Sequence, residues 1–302
     1  MTAAAGPRRL PSVESATAPI AAVDDGAELW PCLAMANTDY VHGYSAREGE
    51  RLRDQATTLT DLLHGDTRYP AGSIVLEAGC GVGAQTVTLA ANSPQAQFVS
   101  VDISPASLAQ AERTVRERGF ANVAFQQADL FALPFAEAQF DHVFVCFVLE
   151  HLADPVAALA HLRRVLRPGG TLTVIEGDHG STYFHPDNAL ARRAVECLVE
   201  LQRRGGGDAN IGRRLYPMLS AAGFGDVAVS PRMVYADGGR PGLQDGFSRK
   251  TFSAMVEGVT DAALGAKLMA PEDWAAGVRA LYRTAEPDGV FCYTFFKAVA
   301  VR

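Results

Sequence analysis

The 302-residue chain has few cysteines and no sign that they work in pairs. Its five cysteines are odd in number and widely spaced, and none forms a C-x-x-C pair. This pattern argues against a disulfide framework and against a structural zinc site. The seven histidines show no H-x-x-x-H spacing or comparable ligand cluster. We therefore expect no metal site.

An excess of basic residues is also absent. The chain has 27 Lys and Arg against 34 Asp and Glu, a formal net charge of −7. Proteins that bind duplexes usually carry a basic face, so we expect no nucleic-acid partner. No stretch reaches the roughly 18 apolar residues that span a bilayer. Residues 1–26 lack the compact apolar core of a signal peptide. We expect a cytoplasmic protein without a membrane partner, and the oligomeric state stays open.

The composition is that of a globular protein, with 48% apolar and 20% charged residues. Residues 1–26 are rich in Ala, Pro, Ser and Thr and are predicted to be a disordered tail. Residues 27–302 are predicted to form a single domain. Its predicted parts are an N-terminal helical cover (27–70), a core (71–235), a helical lid insertion (236–289) and a last strand (290–302).

Strands and helices alternate from residue 73 onward. Ser104-Pro105 and Asp154-Pro155 each combine a capping side chain with a proline at the first helical position. Alternation of this length predicts a doubly wound α/β fold with a mostly parallel sheet. The predicted strands are Ser73–Glu77, Phe98–Asp102, Val123–Gln127, His142–Phe147, Thr171–Glu176, Val227–Tyr235 and Val290–Val301.

Helices are predicted outside this alternation as well. Ser45 and Glu48 have capping-box spacing, and the helix that they begin is predicted to end near His64 and Gly65. Pro168-Gly169-Gly170 is predicted to stop the helix before the fifth strand. Further helices are predicted at about Leu190–Arg204, Arg213–Ala222, Thr251–Val259 and Pro271–Ala285.

A glycine-rich turn follows the first predicted strand and opens a helix. In an open α/β sheet such a turn lies at the carboxyl edge, where ligands bind. Gly79, Gly81 and Ala84 satisfy the loose dinucleotide pattern, which on its own is a weak signal. A nucleotide-dependent oxidoreductase is therefore one interpretation of this turn.

Three carboxylates favour a different ligand. Glu77 lies two residues before the first glycine, where it would repel a pyrophosphate but suit an ammonium and a sulfonium. Asp102 ends the second strand, where it can accept both ribose hydroxyls, and Asp129 follows the third strand, where it can accept from an adenine amino group. The set fits a cationic nucleoside without phosphate. Each acid alone could equally cap a turn or a helix.

The order of several short motifs resembles class I S-adenosylmethionine (SAM)-dependent methyltransferases of the small-molecule branch, similar to quinone-biosynthesis and natural-product enzymes. These motifs cover about residues 73–176. They are Glu77-Ala78-Gly79-Cys80-Gly81-Val82-Gly83, Val101-Asp102-Ile103-Ser104, Gln127-Ala128-Asp129-Leu130, Leu133-Pro134-Phe135, Phe140-Asp141, Leu149-Glu150-His151-Leu152 and Leu166-Arg167-Pro168-Gly169-Gly170.

The resemblance implies a Rossmann-like sheet of seven strands whose last strand is antiparallel. It implies SAM as cofactor and S-adenosylhomocysteine as product. By position, Gly79 and Gly81 would approach the methionine part, Asp102 would hold the ribose, and Ile103 would lie against the adenine. The remaining cofactor-site candidates are Tyr40, Glu77, Asp129, Leu130 and Phe147. Glu77 departs from the family's more frequent Asp, which changes its reach but not its charge.

Candidates for the acceptor side lie in two segments. Tyr40 and Tyr44 precede the first helix and would cover the methionine end of SAM, unless they only pack that helix on the sheet. Glu176 and His179 follow the fifth strand, where either is a candidate general base, unless they only order the loop. The catalytic candidates are thus Glu176, His179 and Tyr44. Arg213 and Tyr293 are interpreted by default as a surface ion-pair residue and a core residue.

The predicted function is SAM-dependent methyl transfer to a small organic acceptor in an enclosed pocket. The most specific hypothesis is an aromatic natural product, with C3 of the indole of a tryptophan-derived cyclic dipeptide as the methylated atom. The alternatives are N- or O-methylation of a protein, an RNA or a primary metabolite, and a non-catalytic SAM-binding protein.

Overall fold

A computed structural model describes residues 58–302, and its centre is one seven-stranded sheet. The strands are β1 (Ile74–Ala78), β2 (Gln97–Asp102), β3 (Val123–Gln127), β4 (Phe140–Cys146), β5 (Leu166–His185), β6 (Gly225–Asp237) and β7 (Val290–Val301). They lie in the order β3-β2-β1-β4-β5-β7-β6, and β7 runs antiparallel to both of its neighbours. The order reverses between β1 and β4, so their carboxyl ends form the crevice where open α/β sheets bind ligands.

Helices cover both faces of the sheet. They are α1 (58–64), α2 (Ala84–Asn92), α3 (Pro105–Glu117), α4 (Pro155–Val165), α5 (Ala189–Arg204), α6 (Leu215–Ala221), α7 (241–258), α8 (Thr260–Gly265) and α9 (Pro271–Arg283). Two of the predicted caps are present. Ser104 accepts from the Ser107 N–H at the start of α3, and Asp154 accepts from the Ala157 N–H at the start of α4.

The two faces of the sheet belong to different hydrophobic cores. Val75 and Leu76 are neighbours on β1, and both are fully buried. Val75 belongs to a core that includes side chains of α1, α5, α7 and α9, whereas Leu76 belongs to a core that includes those of α4 and α6. A strand that is buried on both faces reads as a continuous apolar run, which explains why β1 lacks polar alternation.

The insertion before β7 contributes to the first of these cores. Within α7, the segment Gln244–Ser253 is a π-helix, which brings residues five apart onto one face. Phe247 and Phe252 have this spacing, and their rings lie 5.5 and 5.4 Å from that of Tyr293. The ring of Phe252 also lies 4.9 Å from that of Phe291. The aromatic face of β7 is thus covered by the insertion.

A buried lysine ties the end of α1 to β7. Lys297 is only 4% exposed, and its Nζ donates to Asp66 Oδ1 and Thr67 Oγ1, both at 2.6 Å, and to the Leu63 carbonyl at 3.2 Å. Burial lowers the pKa of Lys297, and the hydrogen bond to Asp66 opposes that change. Arg232 on β6 pairs with the same aspartate at 2.5 Å. These contacts fix the loop after α1 on the sheet.

Most predicted elements are present, and the fold class is confirmed. β5 is much longer than the predicted Thr171–Glu176, because it pairs with β7 as far as His185. Pro168–Gly170 does not stop α4, which already ends at Val165 where β5 begins. Two predicted helices also differ. Arg213–Ala222 is divided into a 3-10 helix (Ile211–Arg214) and α6, and the helix predicted near Thr251–Val259 begins at residue 241.

The predicted tail, residues 1–26, and the larger part of the predicted cover, residues 27–57, lie outside the described residues. Ser45 and Glu48 lie there as well, so only the predicted end of the first helix is observed, at residue 64. Among residues 58–302, no helix is long and apolar enough to cross a membrane.

Replacing Phe252 with Ala is expected to destabilise the protein by about 3–5 kcal/mol, because it removes a buried ring and leaves a cavity between α7 and β7. Phe131→Ala is the matched control, since that ring is 39% exposed. Urea unfolding followed by circular dichroism measures both. Equal losses in the two variants would contradict the assignment of α7 to the core.

Candidate functional site

The glycine turn after β1 has the conformation that its composition requires. Gly79, Gly81 and Gly83 have φ angles of 77°, 52° and 80°, a region that side chains disfavour. The N–H of Gly79 donates to the carbonyl of Val101 at the end of β2. A Cβ placed on Gly81 would meet no atom within 4 Å, so the backbone here borders open space. The turn therefore leaves room for a ligand to approach the main chain.

Asp102 binds this turn from the end of β2. Its Oδ2 accepts from the Gly81 N–H at 2.8 Å, and its Oδ1 accepts from the Ser104 N–H at 2.9 Å. Each carboxylate oxygen can accept a second hydrogen bond, which leaves capacity for a ligand hydroxyl. The next side chain, Ile103, is 61% exposed. An anchored carboxylate beside an exposed apolar side chain fits a ribose joined to an adenine.

Glu77 lies beneath the turn and is 2% exposed. Its Oε2 accepts hydrogen bonds from Ser100 Oγ at 2.6 Å and from Thr86 Oγ1 at 2.8 Å. Burial raises the pKa of Glu77 to about 7, although both hydroxyls act in the opposite direction. The carboxyl thus joins β1, β2 and α2. This placement makes it a support of the turn, which the sequence pattern did not indicate.

Asp129 and Leu130 follow β3 at the same edge. Asp129 is exposed, and its Oδ1 accepts from the Phe131 N–H at 2.9 Å, which caps a short 3-10 helix (Leu130–Ala132). Leu130 is buried, whereas Phe131 is partly exposed. Sequence reasoning did not single out Phe131. The sequence feature that could have indicated it is an aromatic residue two positions after Asp129.

The turn after β4 brings a strained residue next to the glycine turn. Phe147 has a φ of 57°, which is uncommon for a bulky residue, and its N–H donates to the Ile175 carbonyl at 3.0 Å. Its ring lies 5.4 Å from that of Phe295 on β7. Val148 packs on Gly79 so closely that a Cβ there would lie 2.5 Å from Val148 Cγ2.

Glu176 is fully buried at the carboxyl edge, on β5. Its Oε1 accepts from the N–H groups of Val148 at 3.0 Å and Leu149 at 2.8 Å. Its Oε2 is buried and has no hydrogen-bond partner among the described residues. Burial raises the pKa of Glu176 well above its ordinary value, the nearby Glu150 carboxylate raises it further, and the backbone bonds only partly offset this.

Two polar pairs follow on the irregular part of β5. Asp178 is buried and accepts two hydrogen bonds from Arg213, at 2.8 and 2.6 Å, so Arg213 pairs with a buried acid. His179 Nδ1 lies 2.8 Å from the Tyr293 hydroxyl, and the ring of Phe252 lies 5.8 Å from the imidazole. Burial raises the pKa of Tyr293 well above 10, so its hydroxyl stays protonated.

Most of the predicted site residues lie in the described part of the chain, at the carboxyl edge of the sheet. The structure brings Gly79, Gly81, Asp102 and Ile103 together, and it places Glu176 and His179 at the neighbouring strand end. Tyr40 and Tyr44 lie outside the described residues. Within residues 58–302, no group of His, Cys, Asp or Glu side chains is arranged to hold a metal ion.

Comparison with known proteins agrees with this geometry. Residues 76–174 match the family model described as a methyltransferase domain. A demethylmenaquinone methyltransferase of Thermus thermophilus is 40% identical over 102 residues, which are 34% of this chain and 46% of the relative. The 27-O-demethylrifamycin SV methyltransferase of Amycolatopsis mediterranei is 34% identical over 134 residues, which are 44% of this chain and 49% of the relative.

The chain spans about half the length of the curated relatives it matches. Among solved structures, the [4+2]-cyclase SpnF has a TM-score of 0.52 at 23% identity, and the alignment covers 82% of this chain and 81% of that one. This likeness shows the fold. Residues 76–174 thus match a methyltransferase domain, and the sheet that contains them has the strand order described above.

Proposed function

We propose that this chain transfers a methyl group from SAM to a small organic acceptor. The observation that carries the proposal is the contact between Asp102 and Gly81, which holds a carboxylate over an open glycine turn at the strand-order reversal. SAM, when bound, supplies a methyl group that is already activated by its sulfonium. The protein then has to align the acceptor, exclude water and accept a proton where the acceptor loses one.

The cofactor side of the site is assigned as follows, with the positions of the described residues in support. Gly79 and Gly81 leave the backbone open to the methionine part, and Asp102 accepts from the ribose hydroxyls. Ile103 offers an apolar surface to the adenine, and Asp129 with Leu130 bounds its edge. Glu77 supports the turn from below. Phe147 is assigned to the junction between cofactor and acceptor, and Tyr40 to the cover over the methionine end.

The acceptor side is assigned to the His179–Tyr293 pair. The Tyr293 hydroxyl orients the imidazole through the 2.8 Å contact, and His179 accepts a proton from an O–H or N–H group of the acceptor. The rings around this pair are those of Phe252 and Phe295, at 5.4 and 4.7 Å from the Tyr293 ring. An aromatic lining with one polar pair suits a planar, uncharged acceptor. Tyr44 is assigned to the same side of the site.

At the finest level, we propose C3 of the indole in a tryptophan-derived cyclic dipeptide as the methylated atom. Indole supplies its own electrons for the attack, so a group that holds its N–H is sufficient, and His179 has that role here. The aromatic surroundings support this choice. Relatives named for demethylmenaquinone and for 27-O-demethylrifamycin SV support a small-molecule acceptor in general.

A SAM-binding protein that transfers no methyl group is the second candidate. The solved structure of SpnF, which has the same fold, is that of a [4+2]-cyclase, and a fold does not by itself define an activity. Methylation of a primary metabolite is tested by the metabolite extract in the experiment that follows.

The test incubates the protein with deuterium-methyl SAM and a tryptophan-containing cyclic dipeptide, and in parallel with a bacterial metabolite extract. Mass spectrometry is expected to find the label on a small molecule together with S-adenosylhomocysteine. SAM binding without S-adenosylhomocysteine formation would favour the non-catalytic alternative. Binding of NAD but not of SAM in calorimetry would overturn the proposal.

Asp102→Ala is expected to weaken SAM binding at least about tenfold, because it removes a charged hydrogen-bond acceptor from the ribose and from the Gly81 amide. Isothermal titration calorimetry measures the dissociation constant. Asp154→Ala is the matched control, because it also removes an aspartate that accepts a backbone N–H near the start of a helix, but away from the turn. Unchanged affinity in Asp102→Ala would contradict the ribose assignment.

Glu77→Gln is expected to stabilise the protein increasingly between pH 4.5 and pH 7. The pKa of Glu77 is about 7 in the folded state against 4.5 in the unfolded state, so the unfolded state loses this proton at a lower pH. The free energy of unfolding of the wild type therefore falls as the pH rises between these values. Below pH 4.5 both states are protonated and the effect vanishes. The full difference, above pH 7, is on the order of 3 kcal/mol. Urea unfolding across this range measures it, and a pH-independent difference would contradict the buried carboxyl.

A further inference from the structure

Glu176 serves a turn that lies 27 to 28 residues before it in the chain. Its Oε1 accepts from the amides of Val148 and Leu149, and the Glu150 amide also favours the charged form. Leu149–His151 is a 3-10 helix, and its own N-cap residue, Val148, makes no side-chain capping bond. The first amides of a helix need an acceptor. Glu176 provides this acceptor from the neighbouring strand.

The turn after β4 needs this acceptor because its backbone is strained. Phe147 has a positive φ without being glycine, and such a residue persists only where its surroundings determine its conformation. Its own N–H is held by the Ile175 carbonyl, directly before Glu176. Consecutive residues of β5 therefore hold consecutive amides of the turn.

The turn after β4 also packs against the glycine turn after β1. Val148 Cγ2 lies where it would be 2.5 Å from a Cβ on Gly79, so only glycine allows this approach. The Gly79 N–H is held from the other side by the Val101 carbonyl at 2.8 Å. The position of Gly79 is therefore set between β2 and Val148, and the position of Val148 depends on Glu176.

We propose that Glu176 is a positioning residue for the glycine turn after β1, where SAM would bind. Glu176 acts through the amides of Val148 and Leu149 and through the contact of Val148 with Gly79. The identity of the ligand in this statement rests on the proposed function. The role differs from that of a general base, for which Glu176 was a candidate from its place in the sequence.

The geometry favours positioning over proton transfer. Oε1 is already bonded to the backbone, and the whole residue is shielded from solvent. Burial and the nearby Glu150 carboxylate both raise the pKa of this carboxyl, and the amides that it accepts oppose that rise. A glutamine has the same length, keeps the acceptor oxygen and resembles the neutral carboxyl.

The test compares Glu176→Gln with Glu176→Asp. Gln keeps the reach and an acceptor oxygen, whereas Asp keeps the carboxyl group and withdraws its oxygens by one methylene. We expect S-adenosylhomocysteine to bind Glu176→Gln within about threefold of the wild type and Glu176→Asp at least about tenfold more weakly, as measured by calorimetry. Circular dichroism and thermal unfolding verify that both variants are folded.

Amide chemical shifts in the ligand-free protein give a second, independent measurement. The shifts of Val148, Leu149 and Gly79 are expected to move in Glu176→Asp and to stay close to the wild type in Glu176→Gln. Val148→Ala is expected to move Gly79 while it leaves Leu149 in place. This variant also tests the contact if Glu176→Asp does not fold.

The possible failures are distinguishable. Wild type that binds neither SAM nor S-adenosylhomocysteine would overturn the proposed function, while the amide shifts still test the contact. Wild-type affinity in Glu176→Asp, or a loss in Glu176→Gln as large as in Glu176→Asp, would overturn the positioning role. An unmoved Gly79 amide in Val148→Ala would do the same.

Discussion

Backbone amides at the carboxyl edge of the sheet are the groups that the rest of the site is built to satisfy. Each chain reversal there leaves N–H groups that the sheet cannot pair. Asp102 binds the amides of Gly81 and Ser104, Asp129 binds that of Phe131, and Glu176 binds those of the turn after β4. The same side chains lie along the edge where open α/β sheets bind ligands, so local structure and ligand binding involve the same residues.

The distance in sequence between each carboxyl and the amide that it binds explains which parts of the site could be predicted from the sequence. The spacing of Asp102 after a strand predicts both its cap and its place at the ligand edge, since each depends on local residues. The places of Glu77 and Glu176 at strand ends are predicted from local residues as well, but their hydrogen-bond partners are not. Ser100 lies on β2 and Val148 in the turn after β4, so the direction of each carboxyl depends on the packing of the whole sheet.

Long-range pairing also limits the prediction of the fold. β1 to β4 are short, and their lengths follow from nearby apolar runs and turns. β5 continues to His185 only because β7 lies beside it, more than 100 residues later in the chain. Tyr293 reads as a core residue in sequence, and it is one by burial, yet its hydroxyl meets His179 across the same pair of strands.

The buried ammonium of Lys297 has a practical consequence. The chain contains three lysines, Lys250, Lys267 and Lys297, and the first two are exposed. Reagents that acylate amines will therefore find two side chains in the native protein and a third only where the last strand has come away from the loop that follows α1. A single peptide at the C-terminus, read by mass spectrometry, thus reports whether that end of the sheet is closed.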